Sequence, residues 1–279
     1  MLLGSAVLWS IGGLFIKIIT VRHAVPPVTL ACLRSLMAGA VLGWALPRMG
    51  RVPPARLLFA ALAYATLVGT FVLSTAGTTA ANAILLQYSY PLIVAVGART
   101  FYAETLSPRT FVALAVGMAG VSVILIGSWQ PGHGAGLIYG LLSAGAFAAF
   151  TLIQRGIHQG NPIGLSSCYN LIAFVLLLPL ALAFGSFRIS AMALLLTAVM
   201  GTVQLGIPYV LFIQGLRRVP LVEAALITLL EPVLNPLWAW IGAGEKPGLP
   251  TISGGCLIIL ALLIRFVRAC RKPSSARPG

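Results

Sequence analysis

Acid is what this 279-residue chain has least of. It contains no aspartate, and its only carboxylate side chains are Glu104, Glu223, Glu231 and Glu245, against 18 lysines and arginines. Charged residues of all kinds are 8% of the sequence and hydrophobic ones 59%, with a mean hydropathy of +1.02, which excludes a water-soluble globular domain. Catalytic constellations are missing too. His23, His133 and His158 fall in connectors without HExxH or carboxylate spacing, and neither a GxSxG nor a Walker A sequence occurs, so neither an enzyme nor direct ATP coupling is expected. Cys32, Cys168, Cys256 and Cys270 have no CxxC spacing, and the first three lie in apolar runs; they read as small helix residues, with no disulfide, metal or cofactor. The net charge of +14 would suggest nucleic acid in a soluble protein. Here the cations sit between apolar runs, so the expected partner is the lipid bilayer and not nucleic acid.

What the chain has in abundance is apolar runs of membrane-spanning length, about 20 residues each. Ten can be drawn: Leu2 to Thr20, Val28 to Leu46, Leu57 to Ala76, Ala80 to Ala98, Thr110 to Ser128, Gly134 to Gln154, Pro162 to Phe184, Ile189 to Ile213, Val219 to Ile241 and Leu249 to Ile264. Proline and glycine mark the gaps: Pro26 and Pro27, Pro47, Pro53 and Pro54, Pro131 with Gly132, Pro162, Pro247 with Gly248. The first run has no basic segment before it and no small-residue cleavage site after it, so it reads as a span and not a signal peptide. With both termini cytoplasmic, thirteen of the basic residues fall inside and four (Lys17, Arg22, Arg188 and Lys246) outside, leaving Arg34 within the second span. Cytoplasmic positive charge sets orientation, and the split selects this one.

The scarce acids also expose a duplication. Shifting the chain by 141 residues lays ILLQYSYPLIVAVGARTFYAET, from Ile84, on ALITLLEPVLNPLWAWIGAGEK, from Ala225: Pro91 falls on Pro232 and Glu104 on Glu245. Proline followed thirteen residues later by glutamate thus occurs twice and uses half of all the acids. With slightly different offsets Pro27 matches Pro162, and Phe15 to Lys17 resembles Ile153 to Arg155. The expected fold is all-α and integral to the membrane, ten helices as two five-helix units, residues 1–128 and 129–268, followed by a basic cytoplasmic tail, 269–279. An odd number of spans per unit inverts the second copy, an arrangement that points to secondary transport with a substrate site between the repeats.

Several segments resemble the EamA branch of the drug/metabolite transporter superfamily: LWSIGGLFIK (Leu8 to Lys17), PPVTLACLRSLMAG (Pro26 to Gly39), and the paired Pro and Glu signatures within Ser89 to Pro108 and Leu230 to Gly248. The resemblance covers essentially the whole chain and is strongest to bacterial exporters of amino acids, including aromatic ones. It implies a central cavity lined by spans 1, 3, 4, 6, 8 and 9, alternating access, and an inner-membrane location. Two departures bear on the substrate. Span six carries Phe147 and Phe150 where many relatives have a Trp, and Tyr169 stands in span seven where the Arg of span two would repeat.

At 100° per residue, span four gathers Asn82, Gln87, Ser89 and Tyr90 on one arc and leaves Tyr88 outside it, as packing, unless a partly unwound span near Pro91 redirects it. Span nine gathers Glu223, Thr228, Glu231 and Asn235. Span six aligns Tyr139, Ser143, Phe147, Phe150 and Gln154; span eight aligns Thr197, Gly201, Gln204 and Pro208. Span one offers Trp9, with Ser5 and Ser10 beside it, and span three offers Tyr64. The candidate substrate-binding set is therefore Trp9, Ser10, Tyr64, Asn82, Gln87, Tyr90, Phe147, Phe150, Gln204, Thr228 and Glu231. An aromatic cavity with scattered polar groups suits a moderately amphiphilic solute, and an amino acid is the expected small-molecule substrate. Another metabolite or a nucleobase is the alternative within transport, a membrane scaffold the alternative outside it. Glu231, ahead of Pro232, reads equally as a substrate or proton site and as a structural group. Arg34 reads first as a structural ion pair or a snorkelling cation and second as a partner for a substrate carboxylate. Glu104 and Glu245 are expected to cap the following helices or to pair with nearby arginines. Trp44, Trp129, Trp238 and Trp240 are expected in an interfacial belt. Oligomeric state is left open, with a monomer as the simplest case.

Overall fold

Prolines and polar caps start most of the helices in the computed structural model, which describes residues 1–78, 80–127, 134–243 and 248–266. The elements are α1 (Leu2–Ser10), α2 (Gly12–Lys17) with a π-turn at Ile18–Arg22, α3 (Pro27–Val41), a 3-10 turn at Gly43–Arg48, α4 (Pro54–Gly77), α5 (Ala80–Gln87), α6 (Tyr90–Tyr102) and α7 (Pro108–Gly127). Then come α8 (Gly134–Arg155), α9 (Pro162–Phe184), α10 (Ala191–Val199), a π-turn at Met200–Gly206, α11 (Ile207–Leu216), α12 (Leu221–Thr228), α13 (Leu230–Ala243) and α14 (Leu249–Phe266). No strand occurs among the described residues. Pro27, Pro54 and Pro162 open their helices, where the missing N–H costs nothing. Asn161 accepts from the Ile163 amide at 2.9 Å and Ser190 from the Ala193 amide at 3.2 Å, each satisfying an orphan donor of a first turn.

Among the described residues seven helical runs are long and apolar enough to cross a membrane: Leu2–Arg22, Pro54–Gly77, Pro108–Gly127, Gly134–Arg155, Pro162–Phe184, Ala191–Leu216 and Leu249–Phe266. Helix α3 is shorter; the apolar stretch expected from Val28 to Leu46 leaves helical geometry at Val41 and tightens into the 3-10 turn that ends at Arg48. The runs drawn at Ala80 to Ala98 and Val219 to Ile241 are each divided, into α5 with α6 and α12 with α13. Glu245, Lys246, Trp129, Pro131, Gly132, His133, Pro247 and the tail 269–279 lie outside the described residues.

Large apolar side chains face outward as well as inward, as a lipid solvent permits, while polar ones are drawn inside. Leu182, Phe184, Ile126 and Ile241 face outward, whereas Ser5, Ser35, Ser143, Ser166, Ser167, Thr75, Thr151 and Asn170 are buried. Most of these polar groups bond to backbone carbonyls, Ser167 to Gly39 at 2.7 Å among them. Helix α7 lies against α14, α3 against α9, α4 against α8 and α9, and α1 against α11. The α7–α14 contact is backbone to backbone. A Cβ at Gly120 would stand 2.6 Å from the Gly254 carbonyl, and one at Gly254 would stand 2.6 Å from the Gly120 carbonyl, the close approach that small residues permit between membrane helices.

Candidate functional site

Three prolines shape the centre of the molecule. A proline cannot donate to the carbonyl four residues earlier and its ring crowds that carbonyl. The four-residue predecessors of Pro91, Pro208 and Pro232 are Gln87, Gln204 and Thr228. Helix α5 ends at Gln87 and α12 ends at Thr228, while Gln204 lies in the π-turn that separates α10 from α11. Each break therefore coincides with a polar side chain, and all three side chains are buried.

Around them is a narrow cavity of about 20 Å³ lined by Trp9, Arg34, Leu67, Val68, Phe71, Gln87, Phe147, Gln204, Leu205, Tyr209 and Glu231. Its wall is drawn from both halves of the chain. The void runs as crevices between closely packed rings. Tyr90 stacks on Phe147 with centroids 4.1 Å apart, and Trp9 meets Phe147 at 5.7 Å, Tyr209 at 4.9 Å and Phe212 at 5.2 Å. Behind this layer Tyr64 packs edge-on to Tyr209 at 4.7 Å and against Phe150 at 5.4 Å, and its hydroxyl donates to Asn170 Oδ1 at 3.0 Å.

The polar groups are held by specific bonds. Tyr88 donates to Glu231 Oε2 at 2.6 Å, across from the α5–α6 break to the first turn of α13. Tyr90 and Thr228 share a 2.5 Å hydroxyl contact. Gln87 Nε2 donates to Ser143 Oγ at 2.8 Å. Gln204 Nε2 reaches toward the Trp9 carbonyl at 3.4 Å, while its Oε1 has no protein partner. Gly12 makes this crossing possible, because a Cβ there would stand 2.4 Å from Gln204 Nε2. Trp9 Nε1 is likewise buried without a partner.

Of the residues selected from the sequence, Trp9, Gln87, Phe147, Gln204 and Glu231 line the cavity, and Tyr90 and Thr228 are bonded to each other at its edge. Tyr64 and Phe150 form the ring layer behind. Ser10 and Asn82 do not line it. Ser10 Oγ donates to the Val7 carbonyl and accepts from Trp238 Nε1, and its carbonyl accepts from Asn235 Nδ2; Asn82 Nδ2 donates to Thr78 Oγ1 at 3.1 Å. Trp238, expected in the interfacial belt, is thus tied inward, whereas Trp44 and Trp240 are exposed.

Other expectations are corrected by the geometry. Glu223 is not on the cavity arc but pairs with Arg265 of α14. Of the two roles expected for Glu104, the geometry gives the pairing with an arginine: it lies 3.6 Å from Arg155 Nη2, whose Nη1 also donates to the Leu216 and Val219 carbonyls. Its capping is of α12, through the Leu221 amide at 3.1 Å, and not of the helix that follows it in sequence. Arg34 is neither paired nor snorkelling. It is 1% exposed and lines the cavity, and the ion pairs among the described residues are the two just named. Tyr209 was missed because a continuous helix was assumed, whereas Tyr88 follows the alternative of an unwound span near Pro91. The α5–α6 break rotates Tyr88 toward Glu231, and the extra residue per turn of the π-segment carries Tyr209, in place of its neighbour Pro208, to the wall.

A buried polar cavity between interrupted, apolar helices defines a multi-pass membrane protein built to pass a solute, the arrangement of interrupted helices around a site that transporters use. The comparisons make the family specific. The sequence profile of the EamA-like transporter family matches residues 1–126 and again 134–267, and the chain belongs to that family. It is 28% identical over 228 residues to an uncharacterized transporter of Archaeoglobus fulgidus, covering 81% of this chain and 82% of that one. It is 25% identical over 207 residues to the uncharacterized transporter YxxF of Bacillus subtilis, covering 72% and 66%. A solved crystal structure superposes with a TM-score of 0.81 at 20% identity, covering 97% of this chain and 98% of that one, a likeness of fold.

Proposed function

We propose that the chain is a secondary transporter that exports amino acids, aromatic or neutral, across the bacterial inner membrane by alternating access at the central cavity. The observation that carries this reading is the cavity wall: rings from Trp9, Phe71, Phe147 and Tyr209, with polar groups at Gln87, Gln204 and Glu231 set among them. An apolar pocket with few, convergent polar groups fits a solute with an apolar body and a polar head.

The scaffold proposed is ten spans, counting α3 and the divided pairs α5–α6 and α12–α13 with the seven long runs, in inverted units of residues 1–128 and 129–268. Two observations support it. The family profile matches twice, once per unit. The packing is in keeping with such a repeat: α7 on α14 and α3 on α9 pair equivalent elements, while α6 on α12 exchanges with α13 on α5, and α4 on α8 with α11 on α1. Cytoplasmic termini follow from the distribution of basic connectors.

Within this reading Glu231 binds the substrate ammonium or carries a coupled proton. Counterflow of a labelled amino-acid panel in proteoliposomes tests the whole. Saturable exchange of phenylalanine or another neutral amino acid is expected, with Glu231→Gln lowering the rate about tenfold or more and changing its pH dependence. No saturable amino-acid exchange contradicts the reading, and wild-type behaviour of Glu231→Gln removes the carboxyl from the mechanism.

A further inference from the structure

Arg34 is a buried cation within an apolar helix. A guanidinium in the hydrocarbon region requires compensation and by default marks a functional site. Arg34 is 1% exposed and sits within α3. Its Nη2 donates to the Val68 carbonyl at 2.7 Å, where α4 is packed, but Nε and Nη1 have no protein partner. Nothing on the neighbouring elements neutralises it. Glu231, the one acid on the cavity wall, bonds to Tyr88, and no ion pair joins it to Arg34 within the described residues. Tyr64 and Tyr209 come close enough to interact electrostatically with the guanidinium, yet these are neutral phenols. The element packed against Arg34 from the second half is the π-turn, where a Cβ at Gly201 would stand 2.4 Å from the Arg34 carbonyl. That close fit fixes the backbone from which the side chain extends.

We propose that Arg34 is the carboxylate anchor of the cavity, its unpartnered N–H groups binding the carboxylate of an organic substrate. Resting on the amino-acid reading, this deepens it into a two-pole site. Donors stand at Arg34 Nε and Nη1 and at Trp9 Nε1, and an acceptor stands at Gln204 Oε1, with the Glu231 carboxyl on the same wall. The rings of Phe71, Phe147 and Tyr209 complete the same wall. The cation is present on one side only: Tyr169, at the position in α9 that corresponds to Arg34, donates to Gln154 Oε1 at 2.7 Å and is already satisfied. A zwitterionic substrate would therefore bind in one orientation. The anchor also selects against amines that lack a carboxylate, because they would leave the guanidinium desolvated and unpaired.

The test is thermal stabilisation of the purified full-length protein by phenylalanine, 3-phenylpropionate and phenethylamine, three solutes that share a ring and differ in which charge they carry. The wild type is expected to bind phenylalanine most tightly, and phenethylamine at least about tenfold more weakly than either carboxylate. Arg34→Gln is expected to erase the preference for carboxylates, and Arg34→Lys to restore part of it. The wild-type series needs no variant, so a misfolded Arg34→Gln protein leaves the proposal exposed to refutation. Binding of 3-phenylpropionate without phenylalanine would sink the amino-acid reading and leave the anchor standing. Phenethylamine binding as tightly as the carboxylates, no binding by either carboxylate, or a carboxylate preference that survives in Arg34→Gln would overturn the anchor.

Discussion

Tyr88 and Glu231 illustrate what a single hydrogen bond holds in place. The bond joins the α5–α6 break to α13 at 2.6 Å with both partners buried, so its loss leaves a buried carboxyl without its donor. Tyr88→Phe is expected to cost about 1–3 kcal/mol, read as a lowered Tm in detergent; an unchanged Tm would show that the carboxyl finds another donor. Glu231 was legible in the sequence because acids are so rare here and this one precedes a proline. Tyr88 was legible only as the alternative, since its phase depends on where the helix breaks. Arg34 was visible as a charge in an apolar run, but a place in the cavity was only its second reading. Whether such a cation is paired, snorkelling or free depends on the helices packed around it, and sequence periodicity does not carry that information.

At the level of the helices, the prolines decide the shape. Pro91, Pro208 and Pro232 each unlink the carbonyl of a polar residue four positions earlier, and the interruptions fall at Gln87, Gln204 and Thr228 as observed. These positions are proposed as the hinges at which half-spans bend during transport. Replacing each with Ala improves local helix propensity by up to about 3 kcal/mol, so Pro91→Ala and Pro232→Ala are expected to keep or raise Tm while slowing counterflow about tenfold. Unchanged rates in both variants would contradict the hinges. The seven long runs and their approximate limits were legible from hydropathy and from the proline and glycine gaps, and Pro162 to Phe184 coincides with α9. The early end of α3 and the π-turn were not legible, because the apolar pattern continues through both and only tertiary packing selects the tighter or wider turn.

For the molecule as a whole, the feature that matters is how the two halves meet. On the face rich in basic connectors they are tied together: Glu104 caps α12 and lies beside Arg155, and Arg56 donates to the Gly156 carbonyl at 2.8 Å. The duplicated Pro and Glu motif pointed to a repeat, but Glu104 bridging to the other half could not be read from it, since a cap on a sequence-distant helix leaves no local signature. The central claim is that the cavity bounded by Trp9, Arg34, Phe147, Gln204 and Glu231 opens to each side of the membrane in turn and holds the substrate. Val68, on the cavity wall, can be replaced by Cys with little change in volume in a background without Cys32, Cys168, Cys256 and Cys270. Reaction of Val68→Cys with a membrane-impermeant maleimide, applied separately to the two sides of oriented vesicles, is the direct measurement. Labelling from both sides, slowed by saturating phenylalanine, is the predicted result; labelling from one side only, or labelling that phenylalanine leaves untouched, would contradict the account.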